Sequence, residues 1–155
     1  MSRNGGCNFN DLKKLQKSLQ TTEAEMQTFI ESCAKELAAR LLAKVIKRTP
    51  VRKPENCPPG VVGGTLRRGW TGEKASSGAN YAKTLQVKKT GSTYQIEIVN
   101  PIEYASYVEF GHRTRGGKGW KPGVFMLTIS EQEIERAAPA ILEKKIQKKL
   151  GECFK

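Results

Sequence analysis

The chain offers little to a metal ion or a redox centre. Its only histidine is His112, and its four cysteines, Cys7, Cys33, Cys57 and Cys153, are scattered without a C-x-x-C pair. The spacings of a zinc site are therefore missing, and no metal and no cofactor is expected. No apolar run approaches the roughly 18 residues of a membrane span. The opening MSRNGGCNFNDLKK lacks the apolar stretch of a signal peptide. Synthesis and assembly in the cytoplasm, without a membrane partner, are expected, and in that compartment a disulfide framework is not. The glycine-rich pieces at 72–83 and 111–123 lack the G-x-x-x-x-G-K-[ST] spacing of a phosphate loop.

Catalytic groups are equally sparse. His112 stands among cations beside Gly111, a setting that lowers its value as a base, and no serine or cysteine is placed with it by the sequence. Glu103 and Glu109 lie six residues apart, a spacing that does not put two carboxylates on one helical face. The expectation is a protein that is not an enzyme.

Acidic residues are the scarce charge. Against 27 lysines and arginines stand 15 aspartates and glutamates, a net charge of +12. Such a surface fits plain solubility, contact with nucleic acid, or contact with acidic protein neighbours, and charge alone does not separate the three. With 155 residues, 37% of them hydrophobic, the chain is long enough for one core.

The clearest helix is expected over residues 22–48, opened by a Thr22/Glu25 capping box and closed before Thr49-Pro50. Met26, Phe29, Ile30, Cys33, Leu37, Leu41 and Val45 supply its buried face. Ala34, Ala38, Ala39 and Ala43 leave room for another element to come close. Before it, residues 1–21 read as an arm, with one short helix (DLKKLQKSLQ) whose leucine stripe is too weak to stand alone. The remainder, 22–155, reads as a single domain. Residues 49–64 carry four prolines and three glycines. No periodic element runs through them, leaving either a stiff excursion over a neighbouring surface or plain disorder.

A small antiparallel sheet is expected next: TLRRGW (65–70) as a first strand, then a loop over 72–83, then a hairpin over 84–99 turning at Gly91-Ser92. The last helix is expected either from Ser130, which forms a capping box with Glu133, or from about residue 123. Its apolar spacing resumes in phase after Pro139, so the proline should kink rather than end it. The fold class is α+β, a small antiparallel sheet against long N-terminal and C-terminal helices plus one short helix.

That short helix lies in the best-marked stretch, residues 100–129. Asn100, Pro101 and Glu103 carry start signals, and Gly111 carries the stop. After it, His112–Lys121 holds four cations, no acid and three glycines, which predicts an exposed tongue or one ordered by a partner. Trp70, Tyr104, Tyr107, Phe110, Phe125 and Met126 are expected to form one cluster, with Phe110→Ala costing about 3–5 kcal/mol if it is buried.

The same stretch carries a resemblance. Tyr104, Tyr107, Val108, Glu109, Phe110, Gly111, Arg113 and Thr114 spell Y-x-x-Y-V-E-F-G-x-R-T, and Trp120, Pro122, Gly123, Phe125 and Met126 spell W-x-P-G-x-F-M. With the upstream G-G-T-L-R-R-G-W (Gly63 to Trp70), the pattern resembles the tail-completion or neck proteins of long-tailed bacteriophages, the "gene-ten-like" head–tail family. That family also occurs in prophages and phage-derived contractile particles. The resemblance covers roughly residues 22–150. It implies a structural virion protein at the junction of tail and head, made in the bacterial host. Its implied partners are tail tube, connector or stopper proteins and copies of itself, arranged as a ring on the six-fold tail axis, with passing DNA as a further contact.

Partner binding is expected at Arg113, Arg115, Lys118, Trp120 and Lys121, since arginines bind carboxylates in bidentate fashion and tryptophan anchors interfaces. The arm and the proline-rich segment are expected to become ordered chiefly in the assembly. A basic nucleic-acid-binding module using the same five residues is the alternative, because cations beside an aromatic also hold phosphates and stack a base.

Overall fold

The computed structural model describes residues 10–72 and 77–153. The first nine residues of the expected arm, with Cys7, and residues 73–76 of the expected loop lie outside the described residues.

Helix α1 runs unbroken from Asn10 to Arg48. It passes through Thr22 without the restart expected there. Asn10–Arg48 contains neither glycine nor proline, and a cap residue inside an uninterrupted helical run is simply an interior residue. The helix ends where expected: the Thr49 N–H still bonds to the Val45 carbonyl at 2.8 Å, and Pro50 follows. Its buried face is rotated from the expected one. Cys33, Ala38, Leu42 and Val45 are buried, Leu37 and Leu41 half-buried, and Met26 exposed.

The rotation has a cause, because two helices share α1. Helix α3 (Gly78–Thr84), capped by the Ser77 hydroxyl, presses Gly78 so closely on Leu42 that a β-carbon there would lie 2.9 Å from Leu42 Cβ. Helix α5 (Met126–Cys153) lies antiparallel to α1. Arg48 reaches Ser130 and Glu133 at 2.6 and 2.7 Å, Lys44 reaches Glu133 at 2.6 Å, and Lys145 reaches Glu36 at 3.0 Å and the Ser32 carbonyl at 2.9 Å. Of the two expected starts of this helix, the upstream one is nearer. Ser130 is a buried interior residue, its hydroxyl bonded to the Met126 carbonyl at 2.6 Å. The helix continues through Pro139.

The α+β class stands, with helix predominating, but the sheet is not the expected one. TLRRGW forms helix α2 (Thr65–Gly69) rather than a strand, and part of the expected 72–83 loop is α3. The strands form two separate two-stranded antiparallel ribbons. The first joins β1 (Lys88–Thr90) to β2 (Thr93–Gln95) and turns at Gly91-Ser92 as expected. Gly91 has φ +61°, the conformation a tight hairpin asks of its first central residue. Leu85, Val87, Ile96 and Ile98 flank these short strands, and Leu85, Ile96 and Ile98 pack half-buried against the core.

That core joins Ala38, Leu42 and Val45 of α1 to Leu66, Trp70, Ala82 and Met126. The proline-rich segment makes one short 3₁₀ turn, Pro54–Asn56. It then folds back until Gly63 meets the Arg52 carbonyl, which would stand 2.5 Å from a β-carbon at residue 63.

Candidate functional site

Helix α2 explains the L-R-x-x-W part of the sequence. Leu66 and Trp70 are four residues apart, and Arg67 and Trp70 three, so in a helix all three share a side. Leu66 and Trp70 fill the core, Trp70 at 3% exposure. The Trp70 indole N–H donates to the Thr49 hydroxyl at 2.8 Å, and the Arg67 guanidinium donates twice to the Thr49 carbonyl at 2.8 and 3.2 Å. Thr49 in turn bonds Val45 O at 2.7 Å and lies 3.5 Å from the Met126 sulfur. The residue that follows α1 is thereby held by α2 at both ends, its carbonyl by the Arg67 cation at the negative end of the helix dipole and its hydroxyl by Trp70. The Asn100 side chain donates to Leu66 O at 2.8 Å and accepts from the Ile102 N–H at 3.2 Å. Asn100 thus holds a turn ahead of α4 (Ala105–Phe110) rather than capping a helix that starts at Pro101.

Helix α4 ends at Gly111, as expected, and the chain passes directly into β3 (Gly111–Arg113), which pairs antiparallel with β4 (Trp120–Pro122). The expected basic loop is therefore a hydrogen-bonded ribbon. Its base is clamped by Glu109. This buried carboxylate, 5% exposed, accepts from the N–H groups of Leu127 and Thr128 at 2.9 Å each and from the Thr128 hydroxyl at 2.7 Å. Those are free donors of the first turn of α5, so Glu109 caps that helix from a distant point in the chain and puts its charge at the positive end of the dipole.

Backbone contacts complete the clamp. Val124 N–H bonds Val108 O at 2.8 Å, and Phe125 N–H bonds Glu109 O at 3.1 Å. Both motif glycines are required by this closeness: a β-carbon would lie 2.5 Å from Lys121 O at Gly111 and 2.1 Å from Glu109 O at Gly123. Phe125, at the corner between ribbon and α5, has φ +51°, an uncommon conformation for a bulky residue.

The expected aromatic cluster does not form. Trp70 and Met126 are buried, but Tyr104, Tyr107, Phe110 and Phe125 are exposed, Phe110 at 62%. The reason is the shortness of α4. With Ala105, Val108 and Glu109 turned inward, this six-residue helix has no second inner side for Tyr107 and Phe110.

Around them Val99, Val124 and Ile129 are also exposed, and Trp120, at 61%, stands on the ribbon. Arg113, Arg115, Lys118 and Lys121 are exposed, and among the described residues none of the four forms an ion pair. The structure thus gathers Trp120 and the four cations on one ribbon beside Tyr107, whose ring lies 5.8 Å from that of His112.

Two grooves flank α4. One, of about 310 Å³, lies between α4 and the start of α5 and is floored by Trp70, Ile98 and Met126. The other, of about 690 Å³, lies between Tyr104 and Val108 on one side and the proline-rich segment on the other. Missed from the sequence were the clamp role of Glu109 and the joint attachment of Arg67 and Trp70 to Thr49. The three- and four-residue spacing of Leu66, Arg67 and Trp70 was the available signal for the second. No local signal announces a cap that acts across 18 residues of chain.

The model of the HK97-gp10-like family, described as "Bacteriophage HK97-gp10, putative tail-component", matches residues 13–111, more than half of the chain. No curated protein and no solved structure matches.

Proposed function

The chain belongs to the HK97-gp10-like family of bacteriophage tail components, and from that membership we propose that it is a structural protein of the virion neck, completing the tail where it meets the head. Copies of the chain form a ring on the tail axis, in contact with tail tube, connector or stopper proteins. The work of such a protein lies in its surfaces, and the reading assigns it no catalytic step.

The observation that carries the proposal is the exposed end of the molecule. Tyr107, Phe110 and Trp120 stand out from a rigidly clamped base together with four cations that lack ion pairs among the described residues. Aromatic residues and arginine are the residues that interfaces favour. Exposed aromatic side chains carried beside cations, on α4 and on the ribbon, suit contact with other proteins. Among the described residues no helix is long and apolar enough to cross a membrane.

Particles assembled without the protein test the reading. Separate heads and tails, or tails of faulty length, are expected in negative-stain images. Joined particles in normal yield would refute the neck placement. The ribbon's cations also support a second reading, contact with DNA. Binding of the isolated protein to DNA that weakens steeply with salt would favour it.

A further inference from the structure

The geometry points to one contact within that ring: the Arg113–Trp120 face of the ribbon seats in the apolar groove between α4 and α5 of a second copy of this chain, with Glu131 and Glu135 of that copy receiving the arginine. The inference rests on the ring reading above and names the surfaces that would build it.

The ribbon's register separates its two faces. Arg113 lies opposite Trp120, and His112 opposite Lys121, and alternate residues of a strand point to opposite sides. The His112 ring lies against Tyr107 of the same chain, with ring centres 5.8 Å apart. The Arg113–Trp120 pair is therefore on the side turned away from α4, and both residues are exposed. A cation directly across from an exposed indole calls for an apolar recess with a carboxylate at its edge.

The groove between α4 and α5 has that character. Its 310 Å³ are bounded largely by Trp70, Ile98, Val99, Phe110 and Met126, and the exposed Glu131 also lines it. Glu135 lies one turn further along the same face of α5. Neither glutamate has an ion pair among the described residues. Trp120 of the same chain is not among the residues that line the groove, so the recess is open to a visitor.

Charge decides which visitor. At a net charge of +12, two copies repel except where a cationic surface meets an acidic one, and this pairing supplies such a meeting within one sequence. The plug and the recess are different surfaces. A contact between them is head-to-tail and generates a ring if its rotation closes.

Light scattering of the full-length protein over a range of concentrations tests this, with Arg113→Glu, Glu131→Arg and Trp120→Ala beside the wild type. Concentration-dependent oligomers are expected for the wild type, and at least tenfold weaker association for each variant. The double variant Arg113→Glu/Glu131→Arg should regain association. So should an equimolar mixture of the two single variants, in which every contact between unlike copies is either native or reversed. Thermal melts identify any variant that fails to fold, and Glu135→Arg then takes the place of Glu131→Arg. Association unchanged in the single variants, no recovery in the double variant and the mixture, or a wild type that stays monomeric would each overturn the inference. Loss of DNA retention by Arg113→Glu with self-association intact would overturn it as well. Labelling of the wild type in particles separates the two readings: protein located at the neck with unaltered variants sinks this contact alone, whereas protein missing from the particles sinks the neck placement.

Discussion

Glu109 and Phe110 are chain neighbours at the end of α4, yet one is 5% and the other 62% exposed. Around Glu109, three donors of α5 converge on one carboxylate and two glycines let backbones touch. Around Phe110, exposed aromatic side chains face outward beside cations that form no ion pair among the described residues. The contrast teaches that one motif does two jobs. Some of its members, Glu109 with Gly111 and Gly123, fix the base, and others, Tyr107, Phe110 and Trp120, furnish an exposed surface on it. A surface that must meet another protein gains from such a base, because little freedom remains to be lost on binding.

Disrupting the buried side should have the largest effect. Trp70→Ala removes a large core side chain and the Thr49 hydrogen bond, and a loss of about 3–5 kcal/mol is expected in denaturant melts. A loss under about 1 kcal/mol would mean that the base is not the stable part of the molecule. Next comes Glu109→Ala, which leaves the Leu127 and Thr128 donors without their acceptor. About 1–3 kcal/mol should be lost, and amide exchange at the first turn of α5 should accelerate.

A smaller effect tests the long helices. The hydrogen bond from Arg40, with that from Lys145, holds the Glu36 carboxyl below the ordinary carboxylate range. The hydrogen bond from Lys44, with that from Arg48, does the same for Glu133. A depressed folded-state pKa means that the unfolded chain takes up protons first as pH falls. The stabilisation is therefore present above the ordinary glutamate value of about 4.3 and is lost below it. Melting temperatures measured from about pH 6 down to about pH 3 should fall less steeply in Glu36→Gln/Glu133→Gln than in the wild type. Identical slopes would remove these pairs from the account of stability, to which exposed pairs contribute little in any case.

The smallest stability change is expected on the outer side. Arg113→Glu/Arg115→Glu should melt within about 0.5 kcal/mol of the wild type, while joined particles fail to form. Phe110→Ala, expected from the sequence to be costly if buried, should cost under about 1 kcal/mol now that the ring is placed in solvent. A large loss from either would erase the distinction between base and surface.

Some of this was legible along the chain. Apolar spacing determined the two long helices, uninterrupted by glycine or proline in α1 and resuming in phase after Pro139 in α5, because helix formation is a local matter once an apolar face is available. The Gly91-Ser92 turn, the stop at Gly111 and the exposure of the basic ribbon were equally local, set by backbone freedom and by charge. Other features depended on groups distant in sequence. TLRRGW alternates well enough to pass for a strand, and it is a helix because only a helix brings Leu66, Arg67 and Trp70 together onto the core and onto Thr49. The aromatic residues of the motif are hydrophobic enough to suggest a core. Which of them is buried was decided by a six-residue helix that had one inner side to offer and gave it to Glu109, whose partners lie in another helix. Propensity and pattern act between near neighbours. The burial of a particular side chain depends on the space other elements leave, and only the assembled tertiary structure sets that space.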